Sequence, residues 1–135
     1  MEDVKGTKRH TILLFTLFII VAFLAGCKTE TEKPAFSKAT GVPQEFTGGE
    51  GLFDTNCARC HGETGIGTDI GPPLVHKIYE PNHHSDTSFY LAVQRGVRAH
   101  HWGFGDMSRI DGVTEGDVTE IIAYVRWLQR QAGIY

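Results

Sequence analysis

Cys57, Cys60 and His61 carry the most specific chemistry in the chain. Two thiols separated by Ala58 and Arg59, with an imidazole directly after the second, can bond the two vinyl groups of one porphyrin and offer a nitrogen to its iron. Moving either thiol by one residue would strain the backbone and aim the imidazole away from the metal. Two other chemistries use paired cysteines. A redox pair of thioredoxin type wants a strand before it and a long helix after it, whereas residues 62–73 form a glycine-rich stretch. A zinc site brings a second Cys-x-x-Cys or a His pair at finger spacing, and here zinc would have to recruit the scattered histidines instead. The pattern points to one covalently bound haem c.

A haem needs helices to carry its attachment points and to cover its faces. Residues 47–135 supply them in fewer than ninety positions, a size at which side chains alone make a marginal core and a large apolar cofactor completes it. Apolar spacing predicts a first helix over 49–58, with Gly49, Phe53 and Cys57 on one face. A short helix is expected over 87–95, capped by Ser85 or Asp86 and ended by Gly96. The last helix opens on Thr114 and Asp117 as a capping-box variant and ends at Gly133. Its stripe is Val118, Ile121, Ile122, Val125 and Leu128, which leaves Trp127 on the opposite side as an exposed partner contact. The fold class is all-α.

Over most of 47–135 the chain resembles a class I c-type cytochrome, with small helices wrapped around one haem. The resemblance rests on Cys57-Ala58-Arg59-Cys60-His61, on Gly49 and Phe53 facing Tyr124 where the first and last helices cross, and on Gly71-Pro72-Pro73-Leu74. It implies that His61 is the proximal iron ligand, that the Pro72 carbonyl accepts the outer imidazole proton, and that Leu74 touches the porphyrin. It also implies a methionine as distal ligand from the loop before the last helix, and Met107 stands there. Where the family often has Met-Pro this chain has Met107-Ser108-Arg109, so a less rigid loop is expected. Arg98, Trp102 and Tyr79 carry donors in the loops expected at the haem edge and are candidates for the propionates.

Two histidine pairs, His83-His84 and His100-His101, flank the short helix. Any of the four can compete with Met107 for the iron. A ten-residue helix would hold the pairs roughly 15 Å apart, so they share a site only if 97–99 folds back. In that case a second metal, copper above all, is one reading; polar residues that cap helix ends or bond the propionates are the other.

The N-terminus differs from the rest. Lys5, Lys8 and Arg9 precede an apolar run over 12–25, the order of a secretory signal over residues 1–26. Leu24-Ala25-Gly26-Cys27 resembles a bacterial lipobox, which implies cleavage before Cys27 and a lipid on its sulfur. An uncleaved anchor is the alternative, and both readings hold the protein at the outer side of a membrane. Residues 27–46 lack apolar periodicity and read as a flexible tether, with a reach on the order of 25 Å. With one thiol at the lipid position and two in the haem motif, none remains for a disulfide. After Cys27, 10 basic residues stand against 14 acidic ones, which argues against nucleic acid as a partner. The expected function is one-electron transfer between membrane or periplasmic redox proteins, without enzymatic activity. A haem protein with an open or displaceable distal site, as in a ligand sensor or a peroxidase-like catalyst, and copper binding through the histidine pairs are the competing classes.

Overall fold

A computed structural model describes residues 41–135. The signal segment 1–26, the lipidation candidate Cys27 and most of the tether lie outside the described residues. Four helices follow in order: α1 (Thr47–Asn56), α2 (Ala58–His61), α3 (Asp86–Arg95) and α4 (Glu115–Gln131). Single 3₁₀ turns stand at Gln44–Phe46 and Lys77–Tyr79. Among the described residues the only β pairing is an isolated antiparallel bridge between Val97 and Met107, and no helix is long and apolar enough to cross a membrane.

The most extensive helix contact is α1 against α4. Gly49 makes it possible: a side-chain carbon there would fall inside the Glu120 carbonyl and 3.0 Å from the Tyr124 Cβ. One turn later Phe53 is fully buried, its ring 5.6 Å from that of Tyr124. At Cys57 the chain leaves helical geometry (φ −123°, ψ −38°), so the single helix expected over 49–58 is divided into α1 and α2. The other termini follow local chemistry. Thr114 Oγ1 accepts from the Asp117 amide at 3.2 Å, while the Asp117 carboxylate accepts from the Thr114 amide at 2.9 Å, which closes the capping box of α4.

Two expectations need correction. The folded part begins before Thr47, because Val42 and Phe46 pack on the core and the Phe46 ring stacks 5.8 Å from Trp127. Trp127 is consequently a core residue, 8% exposed, with its second face 6.0 Å from Tyr124. Helical periodicity assigns one apolar face to α4, yet the N-terminal turn covers another. Each such aromatic pair adds about 0.5–1.5 kcal/mol beyond its buried area.

Between α2 and α3 the chain has little regular structure, and α4 holds it from beneath with two buried polar side chains. Arg126 is 7% exposed and Gln129 1%. From Arg126, Nη1 donates to the Tyr79 carbonyl at 2.7 Å, Nη2 to the His84 carbonyl at 2.5 Å and Nε to Asp86 Oδ1 at 2.9 Å. Gln129 accepts a bond from Arg126 at 2.7 Å and donates to the carbonyls of Leu74 and Tyr79 at 2.8 and 3.0 Å. Loop carbonyls with no ladder partner are satisfied by one guanidinium and one amide.

Two substitutions test this arrangement in the haem-loaded protein by denaturant unfolding. Gly49→Ala should cost about 2 kcal/mol or more, because the added carbon meets backbone that can yield only by separating the helices. Arg126→Met should cost about 3 kcal/mol by orphaning several buried acceptors. Asp86→Ala removes only a 60% exposed ion-pair partner, and should cost no more than about 1 kcal/mol.

Candidate functional site

Helix α2 is short because its purpose is local: it places Cys57, Cys60 and His61 at one wall of a cavity. Cys57 precedes it with a buried sulfur, Cys60 is exposed, and His61 is 9% exposed. The loop after α2 folds back onto this turn. Thr68 Oγ1 donates to the Cys60 carbonyl at 2.6 Å, and the Thr68 amide donates to the Gly71 carbonyl at 3.0 Å. At Gly71 the backbone passes so close that a side-chain carbon would lie 2.8 Å from the Cys60 carbonyl carbon. This approach delivers Pro72, whose carbonyl oxygen lies 2.8 Å from His61 Nδ1.

That bond assigns the imidazole proton to Nδ1 and leaves Nε2 with a free lone pair. Burial lowers the His61 pKa, opposed in part by the Pro72 bond, so the ring is a neutral donor for a metal. The thiols behave unlike a redox pair. Burial, with a smaller contribution from neighbouring Cys60, pushes Cys57 up to about 11, the reverse of the depressed value that a reactive thiolate needs.

The cavity measures about 540 Å³, a volume suited to an organic cofactor. Cys57, His61, Pro72 and Leu74 line it on the side of the attachment turn. Met107, Arg98 and Trp102 line it from the loop between α3 and α4, and Val93, Val118 and Ile121 add apolar surface from those helices. The backbone of Met107 is held on both sides, since Val97 and Met107 exchange amide-to-carbonyl bonds of 2.9 Å in each direction. Cys60 does not line the cavity but sits on the rim turn between two residues that do.

A haem fits these residues. Trp102 Nε1 is buried and makes no hydrogen bond of ordinary geometry, so it is a donor waiting for an acceptor such as a propionate carboxylate. Tyr79 lines the same cavity, and burial raises its hydroxyl pKa while the nearby Trp102 N–H offsets part of that rise. His76 stands edge-on to Trp102 at 5.1 Å and accepts the Ile78 amide at 3.2 Å, steadying the indole. His76 escaped the sequence reading because a single loop histidine carries no spacing signal.

The histidine pairs are not separated by the length of α3. The Val97–Met107 bridge folds the following loop back, and His84, His100 and His101 line the cavity together. His84 Nδ1 bonds the Ile78 carbonyl at 2.7 Å and His100 Nδ1 the Arg98 carbonyl at 2.8 Å. Partial desolvation, followed by the charges of His100, His84 and His83, lowers the His101 pKa.

No curated protein and no solved structure matches the chain. A family model for cytochrome c matches residues 46–129, which takes in the attachment turn, the cavity and nearly all of α4. The chain belongs to the cytochrome c family: it is a haem-binding protein of electron transfer, all-α in fold, with haem c held covalently.

Proposed function

We propose that this cytochrome is a monohaem carrier that passes one electron at a time between redox proteins at the outer side of a bacterial membrane, is anchored there by a lipid on Cys27, and is not itself an enzyme. The observation that carries the reading is that His61 and Met107 line one largely apolar cavity, so the chain can supply both axial positions of one iron. Haem c supplies a one-electron Fe(III)/Fe(II) couple. Cys57 and Cys60 hold it by thioethers, and His61 presents Nε2 with its ring oriented by Pro72. Met107 offers a neutral, soft thioether that favours the ferrous state and raises the potential relative to imidazole. Leu74, Tyr79, Arg98 and Trp102 line the same cavity; Leu74 would give the porphyrin an apolar contact, and the other three would supply donors to its propionates.

One observation favours a second reading. His84, His100 and His101 line the same cavity, so an imidazole can displace Met107 or leave the distal site exchangeable, as a sensor or peroxidase-like catalyst requires.

Methionine ligation gives the ferric protein a weak charge-transfer band at long wavelength. Met107→Ala should abolish that band and lower the potential. If the unaltered protein lacks the band and its ferrous form binds carbon monoxide at once, the distal site is open and the sensor or catalyst class applies. A band-less, low-spin protein closed to carbon monoxide would instead place a loop histidine on the iron. The anchor has its own test: Cys27→Ala should move the cytochrome from the membrane to the soluble fraction. Unchanged membrane association with residues 1–26 still attached would make the apolar run an ordinary anchor.

A further inference from the structure

His83 and His101 meet at the edge of the haem cavity, which His101 lines and His83 does not, in a way that axial ligation does not require. Their Nε2 atoms are 3.4 Å apart, a separation that one N–H···N bond or one shared ion can bridge. Two imidazoles on one tetrahedral ion, with metal–nitrogen bonds of about 2.0–2.1 Å, place their nitrogens about 3.3 Å apart. A third imidazole completes the set: one ring nitrogen from each of His83, His84 and His101 lies within 4.8 Å of the other two. His84 is already prepared as a ligand, because its Nδ1 proton is engaged by the Ile78 carbonyl at 2.7 Å and Nε2 keeps its lone pair. His84 and His101 line the haem cavity and His83 does not, so the three nitrogens converge at its rim.

The elements that present these rings are fixed independently. The His84 carbonyl is bonded by the buried Arg126, and His101 sits in the loop closed by the Val97–Met107 bridge. His100 packs 4.2 Å from His101, ring centroid to ring centroid, with its own Nδ1 engaged by the Arg98 carbonyl. Among the described residues no carboxylate or thiol belongs to the group. An all-imidazole donor set suits late first-row divalent ions and binds Cu2+ more tightly than Zn2+.

We propose that His83, His84 and His101 form a second metal site at the rim of the haem cavity, which takes one divalent late-transition-metal ion, Cu2+ with the highest affinity, and leaves a fourth position open. The site goes beyond the electron-transfer reading and requires neither Met107 ligation nor a lipid anchor.

The test uses the full-length, haem-loaded protein, incubated with Cu2+ and freed of excess ion. Metal analysis should find about one equivalent of copper per haem iron, and the Cu(II) resonance spectrum should carry splitting from several imidazole nitrogens. Zn2+ should compete, but more weakly. The double variant His83→Ala, His101→Ala should lose that copper, with affinity down by more than about 100-fold, since losing ligands costs more than losing their supporting bonds. Haem content and the ferric haem spectrum should stay unchanged in His83→Gln, whose side chain does not line the haem cavity, which separates this site from the iron. His83→Gln alone alters one exposed side chain and should weaken copper binding in the same direction should the double variant fold poorly. Equal copper uptake by the unaltered protein and the variants would overturn the proposal. So would a changed ferric haem spectrum in the His83→Gln protein, because it would assign these histidines to the haem iron.

Discussion

The hydrogen bond between His61 and the Pro72 carbonyl governs the rest of the structure. To exist at all it needs a loop that doubles back onto a four-residue helix, a glycine where that loop touches Cys60, and a buried ring that stays neutral. A cavity of about 540 Å³ in so small a chain removes apolar contact that the side chains cannot replace. The covalently held cofactor is therefore structural as well as functional: its apolar faces stand where a larger domain would have leucines.

The second constraint is polar. Irregular chain around a haem leaves carbonyls without ladder partners, and an apolar last helix would leave them unsatisfied. Arg126 and Gln129 answer this from within α4, one helical turn apart, and between them reach three loop carbonyls, those of Leu74, Tyr79 and His84, and the Asp86 carboxylate at the start of α3. The same helix thus packs α1 with Tyr124 and Val125 and organises the loops with its polar face. Residues 124–129 are buried without interruption, which an amphipathic surface helix would not show.

How much of this could be read from the amino-acid order depends on whether the cause is local. Cys57, Cys60 and His61 are legible because one small rigid ligand dictates their spacing. Gly49, Phe53 and the α4 stripe are legible because a helix repeats every 3.6 residues. Trp127 is not, since the surface that buries it comes from Phe46, some eighty positions away. Arg126 and Gln129 lie outside the apolar stripe of α4, and the carbonyls they bond come from loop positions 74–84. The meeting of the two histidine pairs hinges on a single backbone bridge, and nothing in the local pattern around 97–107 announces one.

The depth of Cys57 bears on how the protein is made. Its sulfur is buried, and in the closed chain its thiol is held protonated, with a pKa of about 11. A protonated thiol reacts slowly, so the burial of this turn works against the bond that Cys57 has to make. Cys60 is exposed, and the two attachment points of one porphyrin are therefore chemically unequal: one opens into the cavity from a buried turn, the other stands at the surface.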